Sequence, residues 1–142
     1  MNTQATQVET IHEVLAESHA GKLIFPEVVR RLLAAGVTSY FVDLLRAEDV
    51  VYLADDASFT APLSLQLDPI AQEFSKSNVV ADIRAAQRDE VRYPEFMRRA
   101  AAAGVVAYWA FLTGKKVMYF GRNGQVHTEW FPGAAPTEAN AI

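Results

Sequence analysis

An α+β fold, made of two copies of an α-α-β-β(-β) unit that share an antiparallel sheet packed against helices, is what this 142-residue sequence predicts. The expectation rests on an internal repeat, on an apolar helical stripe that ends at a glycine in both copies, and on the β-rich runs that follow each glycine. The segment FPEVVRRLLAAGVTSY (residues 25–40) lies over YPEFMRRAAAAGVVAY (residues 93–108) at an offset of 68, with nine identities in sixteen positions and no gap. Two copies are too few for a solenoid, so a duplicated unit fused around one core is the simplest outcome. The chain is then a single domain, with repeat one over about 7–65, repeat two over about 69–132 and a flexible tail over 133–142.

The elements follow in order. Thr6-Gln7-Val8-Glu9 has the spacing of a capping box, and Val8, Ile11, Leu15 and Ser18 continue on one side until Gly21, which predicts a first helix. Pro26 and Pro94 suit a first helical turn, where a missing N–H is no loss, and Glu27 and Glu95 place negative charge against the helix dipole. Phe25, Val28, Val29, Leu32 and Leu33 form one apolar stripe, copied by Tyr93, Phe96, Met97, Ala100 and Ala101. Gly36 and Gly104 stand where a left-handed residue would end each helix. The runs VTSYFVDLL and VVAYWAFLT are too β-branched and aromatic for helices and predict strands. Deleting one residue near Arg46 aligns VVYL (50–53) with VMYF (117–120), the second strand of each copy, with Thr113-Gly114-Lys115-Lys116 as a hairpin turn. Asn123-Gly124 predicts a further turn, followed by QVHTEWF as a third strand whose counterpart is Ser58–Leu65. Between the copies, Asp68-Pro69 resembles the cap and first turn of a short helix through Phe74, and Val79 and Ile83 match Ile11 and Leu15 on a helix opening the second copy.

Composition removes several classes of function. The chain has no cysteine, so disulfides and thiolate zinc sites are excluded. With 17 acidic against 13 basic residues and a pI near 5.3, its charge balance disfavours electrostatic binding to nucleic acid, which needs a basic face, and leaves room only for a local basic strip. No apolar run reaches the length of a membrane span, and the first ten residues have neither a basic nor an apolar signal region, so the cytoplasm is the expected location.

Strand alternation supplies the first functional indication. Val106, Tyr108, Ala110 and Leu112 share one face, and Ala107, Trp109, Phe111 and Thr113 the other; in copy one the second face carries Ser39, Phe41, Asp43 and Leu45. If helices cover one side, Phe41, Trp109 and Phe111 need another cover, which the preceding helices, a homodimer partner or a small ligand could supply.

The features Tyr93-Pro94-Glu95-Phe96, Ala103-Gly104-Val105, Tyr119-Phe120-Gly121-Arg122, His127-x-Glu129 and Phe131-Pro132, taken together, resemble the DUF1398 family, the YdfO- and YbcV-like small bacterial and prophage proteins. The resemblance implies an α+β fold of unassigned activity; some members carry the label "phage envelope protein", which supplies no mechanism. It carries over no catalytic residues and points to Tyr119, Arg122, His127 and Glu129 as positions to test.

His127 and Glu129 lie two apart on a strand and project to one face with Phe131, where a carboxylate can raise an imidazole pKa or join it as a metal ligand. A third ligand would have to come from elsewhere, such as Asp43. Cross-strand pairing of either residue with Arg122 or Lys116 explains the same pattern without chemistry. His12 and His19 are about 10.5 Å apart along a helix, too far to chelate one ion, and read as surface or interface residues. Arg30-Arg31 and Arg98-Arg99 fall opposite the apolar stripes and read as intrahelical partners of Glu27 and Glu95. No phosphate loop, GxSxG or HExxH pattern occurs. The expectation is a non-enzymatic interaction module, without cofactor or metal, that homo-oligomerises or binds a protein or small ligand through its aromatic sheet face. The alternative is a small enzyme or ligand site using His127 and Glu129.

Overall fold

The computed structural model describes residues 3–136. The first unit comprises α1 (Thr3–His19), α2 (Phe25–Ala34), β1 (Val37–Asp43), β2 (Glu48–Leu53) and β3 (Ser58–Pro62). The second comprises α3 (Lys76–Gln87), α4 (Tyr93–Ala102), β4 (Ala107–Phe111), β5 (Lys116–Phe120) and β6 (Val126–Trp130). The strands form one antiparallel sheet in the order β3-β2-β1-β4-β5-β6. The two units therefore meet at β1 and β4, where Phe41 pairs with Trp109 at the centre.

The backbone repeats as the sequence does. Left-handed residues occur in four pairs separated by 68 positions: Gly21 and Asp89, Gly36 and Gly104, Ala47 and Lys115, Asp56 and Gly124. Both hairpins close with the same register, Asp43 opposite Glu48 and Phe111 opposite Lys116, again 68 apart. The deletion near Arg46 is thus overturned. Val50 corresponds to Met118 and Tyr52 to Phe120, so the aligned tyrosines face opposite ways: Tyr119 is buried beneath the sheet and Tyr52 half-buried above it.

All four helices lie on one face, called inner below. α1 reaches it through His12 against Phe59 and His19 against Asp49, α2 through Phe25 against Phe131, α3 through Arg84 to Glu129, and α4 through Tyr93 to Tyr108. Between the layers, Ile11, Leu32, Met97 and Leu112 are fully buried, each contributing about 1.5–3 kcal/mol from area removed from water. α2 starts with the Ile24 N–H donating to Glu27 Oε1 at 3.2 Å, and both α2 and α4 carry proline in the first turn.

Three local expectations change. α1 begins at Thr3, so Thr6 lies inside the helix instead of capping it. Residues 66–75 form an irregular strap instead of a short helix, because their main-chain groups are engaged elsewhere. Ala71 and Ser75 donate to the Ala101 and Ala103 carbonyls on and just after α4, and Arg122 donates to the Ile70 and Ala71 carbonyls. Ser75 instead caps α3, accepting from the Asn78 N–H at 3.2 Å. Of the tail, residues 133–136 are neither helix nor strand, and residues 137–142 lie outside the described residues.

Candidate functional site

The outer face carries three rows of side chains, each crossing the sheet from β3 to β6. The central row is Thr60, Val50, Phe41, Trp109, Met118 and Thr128. The row nearest the β1–β2 turn is Pro62, Glu48, Asp43, Ala107, Phe120 and Val126; the opposite row is Ser58, Tyr52, Ser39, Phe111, Lys116 and Trp130. Trp109 anchors an aromatic cluster, edge-on to Phe41 at 5.4 Å, stacked on Phe111 at 5.0 Å and on Tyr52 at 5.8 Å. Its indole N–H is buried and has no acceptor among the described residues. Phe41, Tyr52, Trp109, Phe111, Met118, Phe120 and Trp130 are all only half-buried, because no helix crosses this side. Own-helix cover, one of the alternatives open for Phe41, Trp109 and Phe111, is therefore excluded for the four helices described.

The inner face holds His127 and Glu129. Their shared strand parity brings them together as the two-residue spacing predicts, with the His127 Nε2 to Glu129 Oε1 distance 3.1 Å. Arg84 of α3 donates to the other oxygen at 2.8 Å. Burial works against the Glu129 charge, but the Arg84 guanidinium and the His127 ring outweigh it and hold the carboxyl below its ordinary range. Tyr119 stacks beside His127 at 6.4 Å, and burial pushes its hydroxyl well up, so it stays protonated at neutral pH. Both oxygens of Glu129 are thus already engaged within the protein.

The remaining candidates stand apart from this cluster. Asp43 is on the outer face, where its Oδ1 accepts from the Leu45 and Arg46 N–H groups at 3.0 Å each and so fixes the β1–β2 turn. Arg122 is spent on the strap carbonyls. Among the described residues no group of three or more His, Asp or Glu could hold a metal ion. The arginine pairs divide: Arg98 and Arg99 both bind Glu95 as expected, whereas Arg31 reaches across to Glu17 of α1 at 2.8 Å while Glu27 serves the helix start.

Two buried titratable sites remain, one at His19, where the sequence reading is corrected, and one at Asp82, which it did not single out. His19 is enclosed, not at the surface: it is 9% exposed, 3.5 Å from Asp49 and stacked on Tyr93. Burial pushes the Asp49 carboxyl up, with the His19 bond acting in the other direction. Tyr93 and Tyr108 share a hydroxyl hydrogen bond of 2.5 Å beside this pair. The alternation Asp49, Val51, Leu53 was the available signal, since it puts Asp49 on the core side. The second group is Asp82 of α3, 3% exposed, beside a cleft of about 260 Å³ lined also by Asn78, Ala81, Arg99, Ala102 and Ala103. Neither of its oxygens has a hydrogen-bond partner among the described residues.

The model of a family described as "Protein of unknown function (DUF1398)" matches residues 22–129, well over half of the chain and including both β1–β4 strands and the His127–Glu129 pair. No curated protein matches it.

Proposed function

This chain belongs to the DUF1398 family, and on that premise we propose that it is a non-catalytic interaction module that works by having its aromatic sheet face covered, by a second copy or by another protein. One observation carries the reading: the four helices pack on the inner face, leaving seven large apolar side chains half-buried on the outer one. A contiguous patch of that kind marks an interaction surface more often than it remains bare. Its composition, rich in aromatic residues and methionine with charges at the margins, is that of an interface centre with a polar rim. The reading sets the protein in the cytoplasm and needs neither cofactor nor metal.

The alternative site at His127 and Glu129 has less support. Its carboxylate is committed to Arg84 and His127, its nearest tyrosine remains protonated, and the cluster is explained as the polar seam that ties β6 to α3.

Trp109→Ala and Phe111→Asp should weaken association at least tenfold, read by sedimentation velocity over a concentration series. The dilute variants should still unfold cooperatively and lose less in folding than in association, although Trp109→Ala gives up the stacking with Phe41, Tyr52 and Phe111. A loss of folding in step with any loss of association would give these residues to the core and remove the reading.

A further inference from the structure

The geometry points to a second copy of this chain as the occupant of the outer face, docked sheet to sheet with the strands crossing near 90°, so that Lys116 of each copy meets Glu48 of the other. The inference rests on the reading of the outer face as the interaction surface and adds to it a partner and an orientation.

Charge placement is the argument. Glu48 and Lys116 occupy equivalent positions of the two repeats, 68 apart, with opposite sign. They stand at diagonally opposite places on the outer face, Glu48 on β2 in one marginal row and Lys116 on β5 in the other. Neither is well paired within the chain. Lys116 Nζ lies over the Trp130 ring at 4.9 Å and has no carboxylate partner among the described residues, and Glu48 has only Arg46 at 3.7 Å.

Strand geometry converts that placement into an orientation. From β2 to β5 is three inter-strand steps, about 14 Å, and from one marginal row to the other is four residues, also about 14 Å. The Glu48–Lys116 line therefore runs at about 45° to the strands. A twofold axis lying between two facing sheets and perpendicular to that line carries each Glu48 over the Lys116 of the other copy, and it crosses the strands at about 90°, one of the two standard ways in which sheets pack. Tyr52 and Phe120 then lie along the axis and meet their own counterparts, with Phe41 and Trp109 near the centre.

The other simple orientations fail on the same charges. An axis parallel to the strands sets Glu48 over Phe120 and Lys116 over Tyr52. One perpendicular to the strands sets Glu48 over Tyr52 and Lys116 over Phe120. The remaining diagonal sets Glu48 on Glu48 and Lys116 on Lys116. Each desolvates an unpaired charge or opposes like charges, which disfavours it.

The test is a charge exchange. Wild type, Glu48→Lys, Lys116→Glu, the double variant Glu48→Lys/Lys116→Glu, and Phe111→Asp are compared by sedimentation velocity across concentration, with melting curves to show that each is folded. Each single charge reversal should weaken the dimer at least tenfold. The double variant should return to within about threefold of wild type, and an equimolar mixture of the two single variants should dimerise better than either alone. If Phe111→Asp breaks the dimer while the charge variants leave it intact, this orientation is wrong and the outer face remains the interface. A wild-type dimer that survives Phe111→Asp and Trp109→Ala overturns the outer-face reading itself. A wild type that stays monomeric at every concentration overturns the second copy as occupant.

Discussion

Gly104→Ala should destabilise the fold by about 4 kcal/mol or more, whereas Gly36→Ala, at the equivalent place in the first repeat, should cost roughly 2 kcal/mol. Both glycines follow a helix with nearly the same left-handed backbone, φ +86° and +90°, so the conformational penalty for alanine, about 1–2 kcal/mol, is common to the pair. Surroundings separate them. A Cβ on Gly104 would sit 2.2 Å from the Glu73 carbonyl oxygen and 2.9 Å from Phe74 Cα, both main-chain atoms of the strap. The strap cannot yield locally, because Ser75 N–H is bonded to the Ala103 carbonyl and Arg122 holds Ile70 and Ala71. On Gly36 the added carbon meets the end of the Gln7 side chain at 2.3 Å. That side chain can swing away, at the loss of its 2.7 Å hydrogen bond to the Ala35 carbonyl, worth about 1 kcal/mol. Denaturant unfolding of the two variants against wild type reads the difference. Equal losses would mean that the strap gives way as easily as a glutamine side chain.

The contrast also shows what the sequence could reveal. The helices and their ends were legible because proline, the apolar stripe and glycine recur at one offset, and each signal is local. The strap was not. Asp68-Pro69 carries a sound local signature for a helix start, but the main-chain donors of Ala71 and Ser75 find carbonyls on and just after α4, some thirty residues further on. A tertiary contact overrode a local preference, and no window around Pro69 contains it.

The hairpins failed for a different reason. Matching VVYL to VMYF followed side-chain likeness and required a deletion, whereas the fold preserves turn length, seen in the left-handed Ala47 and Lys115. One residue of slip exchanges the faces of a strand. It set Lys116 against Asp49, which faces the core, and so concealed that its true counterpart is Glu48 on the outer face. Parity within a single strand was more reliable: it placed His127 with Glu129 and grouped Trp109 with Phe111. It could not say which face the helices take, nor that Asp43, conspicuous as a charge among apolar residues, serves the turn that follows it.

Between pH 4 and pH 8 the stability of Asp82→Asn relative to wild type should rise by roughly 2–4 kcal/mol. The Asp82 carboxyl is enclosed between α3 and α4, and burial, aided by Glu95 and opposed by Arg99, raises its pKa from 3.8 to about 7. Unfolded chains release this proton near pH 4 and folded ones near pH 7, so between those values the folded state binds the extra proton. Stability associated with Asp82 is therefore complete below about pH 4 and is lost as pH rises through 7. At about 1.4 kcal/mol per pH unit, three units set the upper limit near 4 kcal/mol. Asparagine keeps the shape and cannot ionise. Its buried amide adds a constant offset, so the informative quantity is how the gap between the two proteins changes with pH, not its size at one pH. For a chain of this length that change corresponds to a shift of about 4–16 °C in the difference between the two melting temperatures. A gap that stays flat from pH 4 to pH 8 would mean that Asp82 ionises without penalty, its charge met by a donor reaching through the cleft, and burial would then not be what governs this carboxylate.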